Sequence, residues 1–243
     1  MVETAIEAWE SVTCVRFIKV LSFAEDTVQI IDGGGCYSNI GYAPSRRIIS
    51  LSNECATLGG PSNLQIYMIL SNLSEFSGHI LGLIHEQCRR DRDGYVIIDF
   101  QAIIPEMRDA FSKRDRLIKY NLPYDLGSIM HYSSQAFSEQ NYRTIHPFDE
   151  NFYETMGQRD SIGFYDAAAI NIAYCSNILD SCNNQLYCLN NGYTDPNDCS
   201  KCLCPSGFAG KYCNQAEGGD KCTNRIIIAT SKWSLLLWNG TAN

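Results

Sequence analysis

The stretch Glu75-Phe-Ser-Gly-His79-Ile-Leu-Gly82-Leu-Ile-His85 constrains this chain more than any other. His79 and His85 lie six residues apart, with Gly82 between them. A helical run up to Leu81 can stop at Gly82, because glycine takes up φ > 0 without the steric cost other residues meet. The turn then brings His85 back beside His79. Glu75 and His79 stand at i and i+4, so a helix puts them on one face. Two imidazoles and a carboxylate meeting at one point are a competent ligand set for a metal ion.

The rest of the composition suits a globular domain followed by something small. The chain has 243 residues, 45% hydrophobic and 19% charged, enough for a sizeable core. Its net charge of −8 argues against nucleic acid as a partner, since phosphate binding needs a basic face. Eight of the twelve cysteines follow Cys88, without zinc-finger spacing, which reads as disulfides made in an oxidising compartment. Met1-Val-Glu-Thr-Ala is helix-like and not a basic and apolar leader, so a secreted chain is expected to have its own N-terminus upstream. No membrane span is expected: no uninterrupted apolar run reaches roughly 18 residues.

Taken in order, Val2 to Ser11 predicts a helix with Ala5, Ile6 and Trp9 on one face. Val15 to Val20, Thr27 to Ile31, Cys36 to Tyr42 and Ile48 to Ser52 read as strands, with Asp32 to Gly35 as a turn. The glycines of that turn lack the Lys and Ser/Thr of a phosphate loop. Cys88 to Asp93 reads as a salt-bridged loop, Ile97 to Arg116 as mixed helical pattern, and Gly157 to Tyr174 as containing a last helix. From Cys182 to Cys213 the spacing C-x5-C-x10-C-x2-C-x-C-x8-C, with few apolar side chains, marks a unit that needs crosslinks to fold. The sequons at Asn72 and Asn239 are glycan acceptors in a secreted chain, although Asn72 lies in an anomalous stretch.

Four segments share one resemblance. Thr13-Cys-Val-Arg-Phe17, Gly35-Cys-Tyr-Ser-Asn-Ile-Gly41, Gly82-Leu-Ile-His-Glu-Gln-Cys-Arg-Arg-Asp-Arg-Asp93 and Tyr124-Asp-Leu-Gly-Ser-Ile-Met-His-Tyr132 together resemble the astacin family of secreted zinc endopeptidases, one of the metzincins. The resemblance covers about residues 3–175, and 182–213 resembles an EGF-like module. Cys222 with Ile226 to Thr230 faintly resembles the start of a further domain of the CUB type, within a tail spanning 214–243. The implied fold is α+β: a two-lobed metalloprotease domain over 1–175, truncated at its N-terminus, then the small disulfide-rich module. The implied cofactor is one zinc ion, and the implied partner is an extracellular protein or peptide substrate.

The resemblance also implies roles. His79 and His85 would be zinc ligands, Met130 the Met-turn residue beneath the site, and Tyr132 a mobile additional ligand. The implied disulfides are Cys14–Cys175, Cys36–Cys55, Cys182–Cys199, Cys188–Cys202 and Cys204–Cys213. Cys88 and Cys222 are left without roles. Glu86 resembles a residue that anchors the mature N-terminus in the family, and here needs another partner. His131 reads as structural, and His146 has no evident partner.

The motif itself is broken. The family pattern H-E-x-x-H-x-x-G-x-x-H asks for His at 75 and Glu at 76, and the chain has Glu75 and Phe76. Surplus residues lie near 60–74, after Gly59-Gly60. Three readings remain open. Glu75, as a displaced catalytic carboxylate or substitute ligand, holds zinc with His79 and His85, and activity is impaired for want of a base. The chain is an inactive secreted binding protein that works through the Cys36 edge strand and the EGF-like module. Or the sequence is a faulty gene model of an active protease.

Overall fold

Helix α1 runs from Val2 to Val12 and buries Ala5 and Trp9, one turn apart on one face. Thr13 closes it, its hydroxyl and amide both donating to the Trp9 carbonyl. The Trp9 indole donates to Ser74 O at 2.9 Å, which fixes α1 against the helix that carries the site. The computed structural model describes residues 2–21, 27–41, 47–52, 73–115, 121–182 and 186–217. Cys55, Cys222, Asn72, the Asn239 sequon and nearly all of the surplus stretch fall outside those residues.

Three short strands follow α1. β1 (Val28–Ile31) runs parallel to β3 (Arg47–Leu51), and β2 (Cys36–Ser38) pairs antiparallel with β3 on its other side. β3 is the central strand and the only one of the three to bury residues, Ile49 and Ser50. The Ser50 hydroxyl accepts from Gly33 N and donates to Gly35 O, holding the turn between β1 and β2. Residues 73–80 are helical and form α2. Ala5, Ile49, Leu73, Phe76 and Ile80 pack into one core between α1, β3 and α2.

Below α2 the chain is mostly turns. A second core gathers Trp9, Leu81, Leu83, Ile129, Met130, Ala169 and Ile170, the last two from helix α3 (Phe164–Tyr174). A third lies under the antiparallel pair β4 (Val96–Ile98) and β5 (Ile145–Pro147), around Phe111, Tyr124 and Met156. No helix among the described residues is long and apolar enough to cross a membrane.

Several local expectations need correction. Val15 to Val20 is not a strand: it has no ladder partner among the described residues, and Ile18 is 84% exposed. The strand expected from Cys36 to Tyr42 ends at Ser38. Ile97 to Arg116 begins as β4 and continues as a 3₁₀ segment, Pro105–Phe111, with proline at its start. A short helix α4, Ser176–Ser181, follows α3 where none was expected.

The Cys88–Asp93 loop is a web of ion pairs, with Arg89 on both Glu86 (2.6 Å) and Asp91 (2.7 Å). Cys14 and Cys175 are bonded, Cα atoms 5.8 Å apart, joining the end of α1 to the end of α3. Cys36 is also disulfide-bonded. In the C-terminal part Cys182 bonds Cys199, Cys188 bonds Cys202 and Cys204 bonds Cys213. These staple two small antiparallel pairs, β6 (Tyr193–Asp195) with β7 (Asp198–Leu203) and β8 (Phe208–Ala209) with β9 (Gln215–Ala216). The unit is tied to α3 by Asn171 Nδ2 to the Tyr193 hydroxyl, 3.0 Å, and to the segment after α1 by Arg16 to Asn197, 2.6 Å.

Candidate metal centre

α2 ends in a Schellman turn. Leu83 N donates to Gly78 O at 2.9 Å and Gly82 N to His79 O at 2.8 Å, with Gly82 at φ 101°. That turn also fixes the first imidazole, because His79 Nδ1 donates to Leu83 O at 2.8 Å. The chain reverses, and His85 Nδ1 donates to Met130 O at 3.0 Å. A carbonyl can only accept, so each Nδ1 carries the hydrogen and each Nε2 keeps its lone pair. Burial holds both rings neutral: His79 is pushed down to about 4 and His85 well below its ordinary value. Gly82→Ala is expected to cost about 1–2 kcal/mol, because an L side chain resists that φ. Denaturant unfolding measures this, and an unchanged midpoint would show that the turn carries no constraint.

Glu75 completes the cluster. Ligand atoms of Glu75, His79 and His85 all lie within 4.8 Å of one another. The two imidazole rings meet edge to face, centroids 4.5 Å apart. Burial raises the Glu75 carboxyl above its ordinary value, while the Arg159 guanidinium opposes that shift. Arg159 Nε stands 3.0 Å from Glu75 Oε2, and Glu75 Oε1 stands 3.6 Å from His85 Nδ1. The sequence offered no signal for Arg159, since only the tertiary fold brings the segment before α3 to α2.

Phe76 does not join the cluster. Helical geometry turns it about 100° from Glu75, and its ring packs in the core with Leu73, Ile80 and Ile49. The centre therefore has no carboxylate besides Glu75 among the described residues. Tyr132 is adjacent: its ring lies 4.3 Å from that of His85, and burial raises its hydroxyl pKa. Met130 supports α2 from below, so closely that a Cβ at Gly78 would stand 2.8 Å from its Sδ.

The Met130 segment is itself held by Asp166 of α3. Asp166 accepts from Ser128 Oγ (2.7 Å), Ile129 N (2.9 Å) and Gly163 N (3.0 Å). Ser128 Oγ accepts in turn from Met130 N. No local spacing in the sequence announces this second anchor. His131 is buried and is not a member of the cluster; its ring is bonded to the Tyr124 hydroxyl and Tyr132 O. His146 bonds the Tyr153 hydroxyl. Glu86 is paired with Arg89 and accepts from Asp125 N at 3.0 Å. Cys88 is a buried free thiol that donates to Ala110 O.

The profile of the astacin peptidase family matches residues 1–175. The chain belongs to the astacin family. Zinc metalloproteinase nas-36 of Caenorhabditis elegans is 39% identical over 234 residues, which is 94% of this astacin and 36% of that protein. Zinc metalloproteinase nas-36 of Brugia malayi is 38% identical over 232 residues, 92% of this chain and 37% of its own length. This astacin thus spans little more than a third of these curated relatives. Among solved structures it is similar to high choriolytic enzyme 1, a hatching enzyme zinc-protease from the medaka Oryzias latipes. The TM-score is 0.61 at 33% identity, over 72% of this chain and 80% of that one.

The donor chemistry of this astacin fits a zinc ion. It offers two neutral imidazoles, each anchored through Nδ1 to a backbone carbonyl, and a carboxylate with a ligand atom within 4.8 Å of theirs. It departs from the family at the first histidine and the adjacent glutamate, where it has Glu75 and Phe76.

Proposed function

We propose that this chain is the zinc-binding domain of an astacin-type endopeptidase acting on extracellular proteins, with Glu75, His79 and His85 as the ligands and with an impaired hydrolytic step. The observation that carries the reading is the convergence of those three side chains, with both imidazoles held by Leu83 O and Met130 O. Zinc held there supplies Lewis acidity at the cleft.

The protein's own groups divide the remaining work. β2 stands at the edge of the sheet, paired on one side with β3, and offers an extended peptide a strand to lie against. Tyr132 keeps its proton at neutral pH as any tyrosine does, burial raising its pKa further, so its hydroxyl can donate to a substrate oxygen. Glu75 is spent as a ligand, one oxygen already on Arg159. Phe76 can move no proton. Loss of a general base costs on the order of 10²–10⁴ in rate, which is the expected deficit.

Residues 182–213 serve as an EGF-like module after a protease domain spanning 1–175, with the tail 214–243 beyond. Three disulfides in 32 residues support that reading, and an oxidising, extracellular location with glycosylation is consistent with them. A second reading, an inactive binding protein on the same fold, is favoured by one observation: the buried Phe76 at the position of the base.

Metal content and peptide hydrolysis, measured together, test the proposal. The expected result is one zinc per chain, with weak cleavage that a chelator abolishes. Zinc without cleavage above a His79→Ala control supports the binding protein. Absence of zinc overturns the ligand assignment, and cleavage at rates typical of an intact site overturns the impairment. Sequencing the transcript across Gly59 to Gly82 decides whether the surplus stretch is genuine.

A further inference from the structure

Arg159 is a charged group at the centre to which the zinc-site reading gives no work. Its Nη1 donates to His131 O (3.0 Å) and Gln158 O (2.9 Å), so two carbonyls hold the guanidinium while Nε meets Glu75 Oε2 at 3.0 Å. The Glu75 side chain is only 8% exposed, so water screens this pair poorly. One carboxylate oxygen serves the arginine, and the other lies toward His85. The guanidinium thus already occupies, at ion-pair distance, the carboxylate that a metal ion would need. A dication entering the centre has to share Glu75 with a cation already in place, and a poorly screened site makes that repulsion large.

Arg159 lines a cavity of about 330 Å³ between α1 and the 159–162 turn, together with Asp160, Ser161 and Ser74. The side chain that touches Glu75 thus also borders open space, whose walls are mostly apolar, from Ala5, Ala8, Val12, Ile129 and Ile162.

We propose that Arg159 is an internal counter-ion with which a metal ion must compete for Glu75, so that it sets a low metal affinity and lets the metal exchange readily. The proposal rests on Glu75, His79 and His85 being the zinc ligands. It opposes the usual role of a ligand's hydrogen-bond partner, which orients the ligand and strengthens binding. The two roles predict opposite signs.

The test uses the full chain, with zinc affinity read by competition against a chromophoric chelator. Arg159→Gln removes the charge and keeps hydrogen-bonding capacity, whereas Arg159→Lys keeps the charge. Arg159→Gln is expected to bind zinc at least about tenfold more tightly than the unaltered chain, from relief of charge repulsion, and Arg159→Lys to stay close to it. Melting in the presence of a chelator is expected to fall in Arg159→Gln, with zinc raising it further than in the unaltered chain. Equal or weaker zinc binding by Arg159→Gln overturns the proposal.

His79→Ala in the same titration judges the ligand assignment separately. Binding by the unaltered chain that His79→Ala abolishes upholds the assignment whatever Arg159 does, and absence of binding throughout sinks both. Should Arg159→Gln not fold, the unaltered chain still decides. Its Arg159 Nε–H resonance is expected to shift and exchange faster with solvent on adding zinc, and an unchanged resonance overturns the proposal.

Discussion

His79→Ala is expected to weaken zinc binding by at least about 100-fold, since loss of a mere outer partner of a ligand already costs up to about that much. The imidazole is 5% exposed, and its Nδ1 is bonded to Leu83 O, so ring position and tautomer are set before any ion arrives. Its pKa of about 4 means that no proton has to leave at neutral pH. Alanine leaves Glu75 and His85, two donors, and the glutamate is already shared with Arg159. Chelator competition at pH 7 gives the affinity, and far-UV circular dichroism confirms the fold. Retention of the original affinity would mean that zinc binds elsewhere. His146→Ala is the matched control, because His146 is bonded to Tyr153 and lies outside the cluster.

The second large effect is expected far from the ligands. Asp166→Ala should cost about 3–5 kcal/mol, because it strands two backbone amides and a hydroxyl in a buried place. Denaturant unfolding measures that loss. The turn that would loosen carries Met130, whose carbonyl holds His85. Zinc affinity should therefore fall too, although Asp166 is not among the clustered ligands.

Burial raises the Asp166 carboxyl to about 7 from an ordinary 3.8, against the donors that favour its anion. The folded chain thus keeps a proton there that the unfolded chain releases. This carboxyl's contribution to stability is greatest below about pH 4 and is lost as the pH rises to about 7. Asp166→Asn should flatten that part of the pH–stability curve. A curve that keeps its shape in the variant would assign the dependence to other groups.

What the sequence made legible was local. Helical spacing places Glu75 beside His79, and one glycine returns the chain to His85, so a pattern of eleven residues contains that part of the geometry. α1 and α3 were readable from apolar periodicity, and β1 and β3 from β-branched residues. Val15 to Val20 misled because β propensity describes a fit to neighbouring strands, and this segment has none among the described residues. Arg159, Ser128 and Asp166 were illegible for a different reason. Each acts through a segment remote in sequence, and no local spacing encodes which carboxylate a guanidinium meets. Even the exchange of Glu for Phe at position 76 became informative only with the packing, which sends the ring into the core beside Ile49.

The bond between Cys14 and Cys175 closes almost the whole domain into one covalent ring. A single backbone cut anywhere between those residues leaves both fragments attached, so a nicked molecule keeps its mass until it is reduced. Electrophoresis without reductant would therefore count cleaved and intact chains as one species. In surroundings rich in proteases, damage to a surface loop need not scatter the pieces that build the centre.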